Sequence, residues 1–128
     1  MDDEKYGYCK VFVRAADQER VKAILVRLLG GAFERRNLVL DNLIVSVLPN
    51  SYASDPPDLG DDFVVWPTMI ELSTEDPGDG RRFVATNAQV ISALWDADLP
   101  AVAACDFEDE LPWSGGIQRI QGPPAAES

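Results

Sequence analysis

Apolar and polar positions alternate from Tyr6 to Arg14, where Cys9, Val11 and Val13 fall on one face and Tyr8, Lys10, Phe12 and Arg14 on the other. That period of two predicts a strand whose uniformly apolar face meets a core. Asp17 then offers a side-chain cap, and Val21, Ile24, Leu25 and Leu28 recur at helical spacing. A helix to about Leu29 follows, ended by Gly30-Gly31. Ala32 to Leu40 and Leu43 to Leu48 read as two strands around Asp41-Asn42, residues that tolerate the positive φ of a tight hairpin. Asn50 to Asp62 is a polar loop without periodicity. Phe63 to Ser73 reads as a strand interrupted by Pro67, which implies a bulge or an edge there. Beyond the turn at Glu75 to Gly80, a second helix spans about Arg81 to Ala97. Val84, Ala88, Ile91 and Trp95 mark its apolar stripe. Ala101 to Phe107 is a last short strand, and residues from about 118 to 128 read as a flexible tail.

The order β-α-β-β-β-α-β predicts a single α+β domain over residues 1–128, with its ordered core at about 6–112. One mixed, mostly antiparallel sheet of about five strands would carry both helices on one face. This plan resembles the ferredoxin-like split β-α-β arrangement with one extra strand. It makes the first and last strands neighbours, so Cys9 and Cys105 would lie close together as buried thiols, read here as core packing rather than redox chemistry.

Composition narrows the chemistry. There is no histidine, and 22 acidic residues against 11 basic ones leave a net charge of −11 over 128 residues. Without histidine, Ser-His and Cys-His nucleophile pairs are impossible. No P-loop or G-x-G-x-x-G occurs, and no spacing singles out a pair of carboxylates for acid–base work. We therefore expect a protein that is not an enzyme, with no catalytic residues and no cofactor. The acidity excludes nucleic acid and anionic membrane as natural partners. No apolar run approaches a membrane span, and the acidic start lacks the apolar stretch of a signal peptide. A cytoplasmic protein, monomeric or homodimeric, is expected.

The acids concentrate at Asp106, Glu108, Asp109 and Glu110, with a second group in the loop Asp55 to Asp62. Oxygen ligands of this kind suit calcium or magnesium, but neither group follows the EF-hand pattern. A solvated acidic surface is favoured over a metal site. Asp106 to Trp113 places four carboxylates beside Phe107, Leu111 and Trp113. Acids around exposed aromatics would anchor and steer a basic partner. The bland alternative, weighed equally, has Phe107 and Trp113 folding back onto the core. Asp106, Phe107, Glu108, Asp109, Glu110 and Trp113 are the candidate partner-binding residues. Trp66 and Trp95 read as core.

The segments DFVVWPTMIEL (Asp62–Leu72) and AACDFEDELP (Ala103–Pro112) resemble stretches of small single-domain actinobacterial proteins. With its size, acidity and plan, the chain resembles the immunity proteins that bacteria make against their own secreted toxins. The resemblance covers residues 6–112 and carries over no functional residue. It implies an acidic protein-binding domain that neutralises a basic toxin, with Asp106, Glu108, Asp109 and Glu110 as the first contact candidates. The alternative is a small-molecule-binding or regulatory module on a ferredoxin-like sheet, with Tyr6, Tyr8, Phe12 and Trp66 lining its site.

Overall fold

A computed structural model describes residues 6–51, 53, 62–75 and 80–121. Most of the Asn50 to Asp62 loop, the centre of the Glu75 to Gly80 turn and residues 122–128 lie outside them.

Six strands form one sheet in the order β2-β3-β4-β5-β1-β6, and every neighbouring pair is antiparallel. They are β1 (Tyr8–Val13), β2 (Phe33–Glu34), β3 (Asn37–Leu40), β4 (Leu43–Pro49), β5 (Thr68–Thr74) and β6 (Ala101–Ala104). Helix α1 (Gln18–Leu29) follows β1, α2 (Arg81–Asp96) follows β5, and a short α3 (Ile117–Gln121) follows β6. Strands β1, β4, β5 and β6 with α1 and α2 make the ferredoxin-like β-α-β-β-α-β unit, in which β5 lies between β1 and β4. The small β2–β3 hairpin extends the sheet beyond β4.

The helix ends follow their local chemistry. Asp17 accepts hydrogen bonds from the Glu19 and Arg20 backbone at 3.0 and 3.2 Å, satisfying donors that the helix itself leaves open. Gly30, at φ 84°, ends α1. The predicted strand Ala32 to Leu40 is divided at Arg35, whose φ of 59° turns the chain back and makes two strands of one. Phe63–Val65 is a single 3₁₀ turn rather than strand, and β5 begins after Pro67, which has no N–H to give a ladder.

Sheet register builds the core in rows. Leu38, Val45, Leu72 and Cys9 run side by side across four strands, as do Val47, Ile70, Val11 and Ala103. Val21 and Leu25 of α1 and Phe83, Val90, Ile91 and Leu94 of α2 pack on these rows. The buried line of α2 therefore passes through Phe83, Asn87, Val90 and Leu94, one position aside from the predicted Val84, Ala88 and Trp95, which are half-buried. Asn87 explains the offset. It is fully buried, and its amide donates to the Phe83 carbonyl at 2.8 Å, so a core position carries a polar residue.

A second cluster lies on the opposite face. Phe12, Trp66 and Val102 are buried there with Phe63, Met69, Ala104 and Ile117 packed around them. Asn50 holds this cover in place by donating to the Val64 and Trp66 carbonyls at 2.9 and 2.7 Å. As the strand plan requires, Cys9 and Cys105 are neighbours; Cys9 is fully buried and Cys105 half-buried. Neither is in a disulfide.

Candidate interaction surface

Strand β6 stops at Ala104 rather than at Phe107, and the reason lies in the next seven residues. Phe107 is fully buried, packed between Tyr6 and Phe83 at ring distances of 5.6 and 5.7 Å. Leu111 is buried as well. These two apolar side chains pin both ends of a 3₁₀ turn, Glu108–Glu110. Phe107 is thus a core residue, and the expectation that its ring meets a partner is corrected by its burial. Burying it removes an aromatic surface from water, which outweighs continuing a short edge strand.

The carboxylates divide into two kinds. Glu108 is half-buried and accepts the Cys105 backbone N–H at 3.0 Å, and Glu110 accepts the Tyr6 hydroxyl at 2.9 Å. These two brace the turn against the segment entering β1 and against the exit of β6. Asp106 and Asp109 are exposed, as is Glu110 despite its bond. Among the described residues no three thiol or carboxylate groups converge to hold a metal ion.

Trp113 is 37% exposed and stands at φ 55°, a left-handed backbone that side chains rarely adopt. Its indole meets Trp95 edge-on at 6.3 Å. The Arg119 guanidinium from α3 lies over both rings, 4.4 Å from Trp95 and 4.6 Å from Trp113, where the ring faces attract a cation. Trp95 also donates to the Ala101 carbonyl at 3.0 Å. Sequence reasoning missed Arg119, because it falls in a stretch read as tail; the cue was a lone arginine after two glycines in a chain poor in bases. The C-terminal segment also covers the free edge of β6, since Ala103 donates to the Gly115 carbonyl at 2.7 Å.

The residues proposed for a small-molecule site do not all meet. Phe12 and Trp66 share the second cluster, Tyr8 is on the same sheet face, and Tyr6 packs on Phe107 on the helix side. Among the described residues, the face outside the second cluster is open. Val39, Ile44, Ser73 and Tyr8 form one cross-strand row there. Val39 is 64% and Tyr8 44% exposed. Between the helices a shallow groove of about 410 Å³ is lined by Ile24, Arg27, Leu28, Ala93, Asp96 and Ala97. Among the described residues no helix is long and apolar enough to cross a membrane. No family model, curated protein or solved structure matches the chain.

Proposed function

We propose that this chain is an acidic protein-binding domain that docks a basic partner on the turn Asp106–Glu110 beside Trp113, in the manner of a toxin-neutralising immunity protein. The observation that carries this reading is the pinning of the turn by Phe107 and Leu111, which holds Asp106, Asp109 and Glu110 out from a fixed base. A preorganised contact loses little conformational entropy on binding. A net charge of −11 adds long-range attraction for a basic surface.

The test is affinity capture on the purified chain from its source lysate at low and high salt, read by mass spectrometry. The expected result is one basic protein held at low salt, with affinity about tenfold or more weaker for the triple variant Asp106→Asn, Asp109→Asn, Glu110→Gln. Co-expression should also abolish that protein's toxicity. A partner held equally by wild type and variant would remove the turn from the contact.

A second role is supported by the open row of Val39, Ile44, Ser73 and Tyr8: a small ligand or a second copy of the sheet would cover it. Val39→Asp would then abolish a dimer seen in sedimentation or a metabolite-induced rise in melting temperature. A monomer unmoved by metabolites would end this alternative.

A further inference from the structure

Lys10 pairs with Ala104 in the β1–β6 ladder, so one step further Cys9 faces Cys105. The kind of pair follows from the bonds around it. Arg14 donates to the Pro100 carbonyl at 2.9 Å, which marks that position as hydrogen-bonded. The two kinds alternate in antiparallel sheets, so Val13–Ala101, Val11–Ala103 and Cys9–Cys105 are non-hydrogen-bonded pairs. Two donors agree, since Ala103 N–H turns away to Gly115 and Cys105 N–H to Glu108. Such pairs bring the Cα atoms to about 4.5 Å with the side chains closer still. A disulfide spans Cα separations of roughly 4.4–6.8 Å. Cys9 Sγ donates to the Lys10 carbonyl at 3.9 Å, and each thiol is the other's strongest electrostatic influence.

We infer that Cys9 and Cys105 are a redox-active dithiol that closes to an intramolecular disulfide when a low-molecular-weight disulfide reaches Cys105. The roles follow from position. Cys105 is half-buried and Cys9 fully buried, so an oxidant meets Cys105 first. The neighbouring Cys9 thiol, helped by the Phe107 backbone, holds the Cys105 thiol below its usual range, against burial and the charges of Glu108 and Asp106. The neighbouring Cys105 and burial push Cys9 up, so it keeps its proton until its partner has reacted. The Cys105 thiolate attacks one sulfur of the oxidant; the oxidant's S–S bond breaks, and one thiol leaves. Cys9 then gives up its proton and attacks Cys105 Sγ, expelling the second thiol. Two protein thiols lose two electrons and two protons, and one disulfide becomes two thiols. The product ties β1 to the residue from which the acidic segment departs. This inference is independent of the proposed partner.

The experiment treats the reduced full chain with glutathione disulfide and follows intact mass and thiol alkylation under non-reducing conditions. Wild type should lose the mass of two hydrogens, stay monomeric and resist alkylation, and its melting temperature should rise by several degrees because the bridge closes a long loop. Cys9→Ala should stop at a lasting glutathione adduct on Cys105. Cys105→Ala should react far more slowly than wild type. A wild-type chain that keeps the adduct, links to a second chain, or remains fully alkylatable would overturn the inference, and that readout needs no variant to fold.

Discussion

Tyr8 stands half-exposed on the open face, one diagonal step across the sheet from Glu71. Partial burial, then the charge of Glu71 and a hydrogen bond to it, push the Tyr8 phenol up from 10.0 to about 12. A folded-state value above the unfolded one means that stability is complete below pH 10 and is lost as pH rises toward 12, because the unfolded chain ionises first. Phenolate absorbance should show one tyrosine titrating late, and Glu71→Gln should bring it back toward 10; an unmoved titration would remove Glu71 as a cause. Asn87 makes a different residue-scale statement. Its Nδ2 is bonded, but its Oδ1 is buried without a partner among the described residues. An orphaned acceptor costs about 1–3 kcal/mol. Asn87→Leu should therefore stabilise the fold by ~1 kcal/mol in denaturant unfolding, and a loss would show that the site has no room for an apolar side chain.

Among the elements, the acidic turn separates support from surface. Phe107→Ala should cost about 3–5 kcal/mol by opening a cavity. Asp106→Asn and Asp109→Asn should each stay within about 0.5 kcal/mol. A large loss from either aspartate in urea unfolding would make it a structural partner instead of a free contact. The elements early in the chain show what a sequence conveys, and the turn shows what it withholds. Asp17, Gly30 and the stripe of Val21 and Leu25 declare α1 through local chemistry alone, and Asp41-Asn42 declares the hairpin. The fold of β1 beside β6 follows once those elements are ordered, and it places Cys9 against Cys105. Phe107 is another matter. Its burial depends on Tyr6 and Phe83, 101 and 24 positions away (107 − 6 and 107 − 83), which no local pattern encodes. The run from Trp113 to Gly116 is equally hidden: four consecutive positive φ values arise because the chain must fold back along β6. Gly116, at φ 102°, lies so close that a Cβ would strike the Ala101 carbonyl. Gly116→Ala should thus cost on the order of 2 kcal/mol or more and expose Trp95 and Trp113 to fluorescence quenchers.

At the scale of the whole molecule, one charge imbalance has two opposite consequences. Acids outnumber bases two to one, so most pairs of surface charges repel, and repulsion acts against the compact state. Local pairs such as Lys22–Glu19 at 3.1 Å, with the glutamate facing solvent, contribute little. The reach of these forces shrinks from ~30 Å at 0.01 M salt to ~8 Å at 0.15 M. Across that range sodium chloride should raise the melting temperature of the free chain, because it screens repulsion that folding intensifies. A complex held through Asp106, Asp109 and Glu110 should loosen across the same range, because the screened force is then attraction between opposite charges. The double variant Asp106→Asn, Asp109→Asn carries two fewer charges and keeps the Glu110 brace, so it should melt at a slightly higher temperature than wild type in low salt and converge with it in high salt. Melting curves and binding isotherms over one salt series read both effects. A melting temperature that falls with added salt would mean that attractive pairs govern the surface, and the acidity would then have to be explained as part of the fold rather than as a surface kept for a partner.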